Sequence, residues 1–475
     1  MRNVIFAGSD VSRCGRIVGA VRRSRRLCVL TVLAAAAAFM VPVTGGGRHA
    51  QAAPGRLGTV AFPAAGVSTG IDGFSPILYT ETGAQAGLKA WFIAHHGYAS
   101  PTTAKITCIA VATATVCPDK NGSKSFPLPL NTSAVNLDTN QAGDIATSEV
   151  PQFAMDPSQP KVYYPAVTTT AKAGFPNGSI GVGCVNLQTQ ANCAYTPLLG
   201  LTNSAGQSNV NGLTGFTVLG TQLYGTATNG KEVCYDMSNH QACAGQPYTT
   251  NSPPSGDKAG LGPTDHYGST ATVNGKIYIT SKAPAGTTTT SHAPAISCFD
   301  PGPFAPCTGW STPKTFTDPN VDWALAVFPR YNTAVTQTGV CAVAGNQTTQ
   351  APVLACYDIS GNSVTPPAGM AALFPTGGTG SVVFQPMFVG SNGTYRIYFP
   401  FYTEGGTNKG STLCYNWTAQ APCTGFTNPA THPSVNGGDT HDYGYAYDST
   451  TACLYGGGDR KYVFGLNPLT GATGC

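Results

Sequence analysis

Charged side chains are scarce. Lys and Arg number 25 and Asp and Glu 21 among 475 residues, 10% of the chain, where ~25% is usual for soluble domains. The small excess of base is local, because residues 1–52 hold eight Arg and one Asp. The rest carries 17 basic against 20 acidic groups, a net charge of about −3. A body of that charge has no general attraction for nucleic acid or anionic membrane, so neither is expected as a partner. Long apolar runs are missing beyond residue 43, so no membrane insertion is expected once the N-terminal segment is removed. The chain has no Gly-Lys-Ser/Thr phosphate loop. Its cysteines lack the two-to-four-residue spacing and the accompanying His pair of a structural zinc site.

Gly (58) and Pro (36) are abundant instead, with Thr, Val and Tyr in short runs. This composition opposes a helical bundle and favours short strands joined by tight turns.

Arg22, Arg23, Arg25 and Arg26 precede the apolar run Leu27 to Val43, followed by Ala50-Gln51-Ala52 and Ala53-Pro54. A basic segment, an apolar segment and a small-x-small cleavage site together predict a secretory signal peptide over 1–52, with 53–475 as the exported domain. A retained anchor is the alternative, but the run is short, alanine-rich and ends at Pro42. The surroundings of Arg25-Arg26 also resemble a twin-arginine signal weakly.

Beyond the signal stand fourteen cysteines, an even number suited to disulfides in an exported protein. Five pairs are nine positions apart: Cys108/Cys117, Cys184/Cys193, Cys234/Cys243, Cys298/Cys307 and Cys414/Cys423. Their contexts repeat, as in Val233-Cys234-Tyr235-Asp236, Ser297-Cys298-Phe299-Asp300 and Leu413-Cys414-Tyr415-Asn416. Alternating apolar residues run into a turn opened by Asp or Asn, which predicts a hairpin with a cross-strand disulfide. Closing such a ten-residue loop contributes roughly 2.5–3 kcal/mol in the loop-entropy model.

The hairpin recurs with first positions at Cys108, Cys184, Cys234, Cys298, Cys356 and Cys414. A seventh copy runs from Tyr462 to Cys475, with Leu466 in the cysteine position. Each copy follows another strand pair, such as 268–273 with 275–280. Seven units of about 60 residues, each with four antiparallel strands, predict an all-β, seven-bladed β-propeller with disulfide-stapled hairpins. Two stacked sheets are the alternative, but a sandwich has no need of seven homologous units. In this alignment Cys341 and Cys356 fall on neighbouring strands and are expected to bond, which leaves Cys453 for Cys475. The seventh unit lacks a fourth strand, and Leu57 to Phe62 is expected to supply it beside Val463 to Leu466, closing the ring.

The stretch Tyr462-Val463-Phe464-Gly465-Leu466-Asn467-Pro468-Leu469-Thr470-Gly471 resembles the third strand and turn of propeller repeats of the surface-layer YVTN and quinoprotein type. That resemblance implies the propeller fold over 66–475. Quinoprotein propellers have eight units and recurrent docking tryptophans; this chain has four irregularly placed Trp, so quinone binding is not implied.

Propellers bind at the channel mouth, beside the loops that enter each innermost strand. Polar residues recur there: Asp72, Asp144, Asn211, Asp265, Asp322, Thr379 and Asp439. Two units add His and Tyr, in Asp265-His266-Tyr267 and His441-Asp442-Tyr443, and these six residues form the candidate ligand-binding group. His exchanges protons near neutral pH and Asp orients it, chemistry that also suits a polysaccharide lyase or hydrolase, or a divalent cation at the channel. The opposing reading makes each Asp a loop cap and each His-Tyr a structural pair. His95-His96 is a weak metal pair, since adjacent strand residues face opposite ways. With its disulfide-stapled hairpins and polar Thr, Asn, Gly and Tyr loops, the chain reads as a secreted, extracellular, monomeric binding scaffold without a cofactor. Its expected ligand is a glycan, a cell-envelope component or a protein, and a polysaccharide-cleaving enzyme is the alternative.

Overall fold

The computed structural model describes residues 59–61, 76–94, 105–118, 128–129, 154–156, 158–167, 180–199, 216–227, 230–252, 269–281, 295–316, 318, 321–346, 349, 351–374, 380–383, 386–391, 393–404, 410–431, 442–458 and 462–475. Contacts divide the chain into two units, Met1–Ala53 and Pro54–Cys475; all described residues belong to the second.

The fourth blade shows the common plan. Thr270–Val273, Lys276–Ser281, Ala295–Asp300 and Ala305–Pro306 pair in succession, each antiparallel to the last. Asn274 and Gly275 both have positive φ at the first turn. This is the geometry that lets a two-residue turn follow the twist of its strands. Asp300 accepts the backbone N–H of Gly302 at the next turn, and Asp236, Asp358 and Asn467 cap the corresponding turns of their blades.

Seven such sheets occur. Their innermost strands are Ile77–Glu81, Ala154–Met155, Thr217–Leu219, Thr270–Val273, Val321–Tyr331, Gly380–Val383 with Met387–Ser391, and Asp442–Asp448. Apolar clusters fill the spaces between successive blades from first to seventh. The innermost strand of the first blade touches that of the seventh, which completes the ring. The strand Thr59–Ala61 pairs with the last strand of the seventh blade, Thr59 opposite Phe464 and Ala61 opposite Tyr462. The N-terminal segment thus occupies the outermost place of the C-terminal blade and covers its edge.

Cys108–Cys117, Cys184–Cys193, Cys234–Cys243, Cys298–Cys307 and Cys414–Cys423 each join a third strand to the outermost one. Cys341 is bonded to Cys356, and Cys453 to Cys475. The outermost strand is more broken than the repeat predicts. In five blades it consists of two short pieces, such as Ala305–Pro306 and Lys314–Thr315 on the same third strand. The second cysteine sits at the break, its N–H bonded to the carbonyl of the first, as Cys307 to Cys298. In the third, fourth and sixth blades the chain then loops outward through Gly245, Gly309 or Gly425, all at positive φ. A Cβ on Gly309 would lie 2.2 Å from the backbone oxygen of Ser360 in the next blade, so the position requires glycine.

One alignment is corrected. The bond equivalent to Cys307 N–H to Cys298 C=O runs from Gly474 N–H to Gly465 C=O. Gly465, not Leu466, therefore holds the cysteine position in the seventh blade. A shift of one residue turns side chains to the opposite face, which is why Cys475 meets Cys453 instead of a third-strand partner.

A second repeat runs through the core. The residue opposite each third-strand cysteine position is Trp91, Tyr163, Tyr224, Tyr278, Cys341, Tyr398 or Tyr455. All are at most 3% exposed. Six blades thus place an aromatic ring at the position paired with the third-strand cysteine site, and the fifth places a second cysteine there. Burial pushes the hydroxyls of Tyr224, Tyr278 and Tyr398 up to about 12.

Candidate functional site

An innermost strand pairs on one side only, so its other edge offers backbone groups to the channel. Register tells which residues do so. In the fourth blade Thr280 N–H bonds the carbonyl of Ser269. The antiparallel alternation then turns the N–H and C=O of Thr270 and Thr272 toward the channel. By the same register Val218 in the third blade, Pro329 in the fifth and Phe388 in the sixth are equivalent to Thr272. Pro329 lacks an N–H and lies on this channel-side edge, where a strand tolerates proline, and Pro386 stands just before Met387–Ser391.

These residues enclose a cavity of about 260 Å³, lined by Phe216, Thr217, Val218, Thr270, Ala271, Thr272, Phe328, Pro329, Pro386 and Phe388. They come from four successive blades. Thr217 and Thr270 hydroxyls lie 2.6 Å apart and tie the third blade to the fourth. Ser269 Oγ accepts the backbone N–H of Val327 at 2.6 Å and ties the fourth to the fifth. Thr217 and Thr270 are buried, whereas Thr272, Pro329 and Phe388 are half-buried and Val218 is 37% exposed. The cavity therefore has a hydrogen-bonded floor and a wall of Val, Pro and Phe. It presents hydroxyls, backbone edges and apolar rings to a ligand, with no charged side chain among the described lining residues.

The residues singled out by their titratable chemistry are mostly outside the described residues. Asp265, His266, Tyr267 and His441 fall outside the described residues. Asp442 and Tyr443 open the innermost strand of the seventh blade, with Asp442 opposite Gly458, and their side chains are outside the description. Asp72, Asp144, Asn211, Thr379, Asp439, His95 and His96 are likewise outside it. Asp322 lies in Val321–Tyr331, again without a described side chain. Among the described residues no three His, Cys, Asp or Glu side chains gather as a metal site would need. The cavity residues escape a search for acids, bases and nucleophiles because they are Thr, Val, Pro, Phe and Ala. The available signal was proline within strand-like runs, at Pro329 and Pro386.

No family model matches the chain, and no curated protein matches it. Among solved structures it is similar to the computationally designed Ika8 protein, at 10% identity over 85% of this chain and 89% of that one, with a TM-score of 0.38. The β-propeller domain of the Trilobed protease from Pyrococcus furiosus, described as having an open velcro topology, matches at 9% identity over 82% and 95%, TM-score 0.37. A chain from an S. cerevisiae complex of dbp5 with nup159 and gle1 matches at 10% identity over 86% and 92%, TM-score 0.43. The propeller assignment rests on the seven sheets and their pairing, not on these likenesses.

Proposed function

We propose that the protein is an exported binding propeller that recognises a glycan, a cell-envelope component or another protein through its channel and the loops around it. The observation that carries this reading is the channel-side cavity. Four blades contribute to it, and interblade hydrogen bonds and buried aromatic rings hold its walls in place. A pre-formed, mixed polar and apolar concavity on a rigid frame is how small-ligand sites are built. Seven disulfides fit an oxidising compartment. The basic and apolar segments within 1–52 support export. No helix of the described residues is long and apolar enough to cross a membrane.

In this reading Asp265, His266, Tyr267, His441, Asp442 and Tyr443 enter the same channel from the loops before the fourth and seventh blades. The test applies the full secreted product to a glycan array, to intact cell envelopes and to envelope proteins. Retention with the ligand intact supports binding, and release of unsaturated or reducing ends would replace it with polysaccharide cleavage. His266→Ala or His441→Ala should weaken retention and leave Tm almost unchanged, because a channel-facing side chain buries little apolar area.

A further inference from the structure

We propose that the cavity between the innermost strands of the third to sixth blades is a subsite for one neutral sugar ring. This rests on the binding reading above and names the class of ligand for its channel. Three observations carry it.

The polar groups come first. Thr272 offers a hydroxyl, and register turns the N–H and C=O of Val218, Thr272 and Phe388 to the channel, together with the carbonyl of Pro329. Donors and acceptors thus alternate around one concavity, and a sugar hydroxyl is both donor and acceptor. An alkyl or acyl chain would displace the water on these groups and leave them unpaired, at a cost of ~1–3 kcal/mol for each one buried.

The shape of the edge comes second. An extended peptide adds to a sheet through a continuous edge. Here the edge is shared among four strands, of which Thr217–Leu219 spans three residues and Thr270–Val273 four. Pro329 removes a donor from it. A compact ring with hydroxyls on its rim meets such a broken circle of groups, and a strand does not.

The wall and the volume come third. Val218, Pro329 and Phe388 hold equivalent positions in three blades and give the apolar surface on which the C–H face of a ring lies. Among the described residues the lining has no charged side chain, so a neutral ring is favoured over a uronate or a sialic acid. About 260 Å³ is below the ~300–1,000 Å³ of pockets for drug-sized ligands, room for one ring of a longer glycan.

The test titrates the full secreted protein calorimetrically with cellobiose, maltose and N,N′-diacetylchitobiose. At least one should bind. Thr272→Val keeps the shape and removes the hydroxyl, and should weaken that binding about fivefold to tenfold. Thr272→Ser restores the hydroxyl and should recover affinity. Phe388→Ala should weaken binding by a similar factor, while Leu469→Ser, on an exposed turn outside the cavity, should leave it unchanged. Thermal melts of each variant verify folding. Binding that survives both Thr272→Val and Phe388→Ala overturns the subsite and leaves the binding function standing. Binding of none of the three sugars by a folded protein that retains an envelope protein overturns the sugar and keeps the scaffold. Retention of nothing on arrays or envelopes removes both readings.

Discussion

The fourth and fifth blades are neighbours built from one repeat, yet they secure their sheets differently. In the fourth, Tyr278 lies opposite Cys298, and the cysteine bonds outward to Cys307. A second outer piece, Lys314–Thr315, then covers the rest of the third strand, and residues 295–298 are almost fully buried. In the fifth, Cys341 lies opposite Cys356 and takes the bond inward. Among the described residues only Ser363–Val364 pairs on the outer side, and Pro352, Val353, Leu354 and Ala355 stay half-buried. The two inner strands are correspondingly long, at 11 and 10 residues. The residue opposite the third-strand cysteine thus decides whether the crosslink ties the outer edge or the inner ladder.

The comparison is broken hardest at the aromatic position. Tyr278 is fully buried and packs edge-on against Trp310, ring centroids 5.2 Å apart. Tyr278→Ala should cost about 3–5 kcal/mol in chemical denaturation, through lost burial and a residual cavity. A loss under ~1 kcal/mol would mean that the ring is not what holds the fourth and fifth blades together.

Removing the crosslinks comes next. The paired changes Cys298→Ala with Cys307→Ala, and Cys341→Ala with Cys356→Ala, should each cost about 3 kcal/mol from loop entropy. Their sites should differ in hydrogen exchange. The first pair should deprotect residues 305–315, and the second should deprotect the ladder between 337–346 and 352–358 while sparing the outer edge. Identical exchange patterns would abolish the distinction between the two blades.

The same third-strand column carries a third contrast, two residues before the cysteine: Glu232 in the third blade, Ile296 in the fourth and Leu354 in the fifth. Glu232 is wholly buried, accepts a hydrogen bond from Thr226 Oγ1 at 2.6 Å, and pairs across the ladder with Tyr248. Burial pushes its carboxyl from 4.5 up to about 8, only partly opposed by the Thr226 bond. The folded state holds the proton more tightly than the unfolded one. This contribution is therefore complete below about pH 4.5 and is lost as pH rises to about 8, at no more than ~1.4 kcal/mol per pH unit. Tyr224 on the same sheet lies near enough to interact with both Glu232 and Asp236. Melting as a function of pH should show stability falling across that window, and Glu232→Gln should flatten the slope. An unchanged slope would place the titration elsewhere.

The smallest effects separate hydroxyls at one repeat position. Tyr398 OH donates to the carbonyl of Pro468 at 2.6 Å, whereas Tyr278 OH has no hydrogen-bond partner among the described residues. Tyr398→Phe should cost about 1 kcal/mol and Tyr278→Phe none, or raise stability slightly. Equal costs in parallel urea titrations would refute the difference.

Short-range chemistry was readable from residues alone. The nine-residue cysteine spacing, the Asp or Asn that opens each turn and the alternating strands act within ten or so positions, so they report hairpins directly. Their recurrence implies seven blades, because one hairpin pair cannot bury both of its faces. The inward bond of Cys341 follows too, since strand order alone makes those positions neighbours. Three features needed the folded ring. The true cysteine position at Gly465 depends on a one-residue register that local sequence leaves open between two apolar neighbours. The carboxyl of Glu232 is perturbed by its complete burial, and nothing in Lys-Glu-Val-Cys announces that burial. The cavity joins Phe216 to Phe388, residues far apart in the chain, through the closure of four inner strands. Its Thr, Pro, Val and Phe are ordinary strand residues until the ring turns their free edges toward one another.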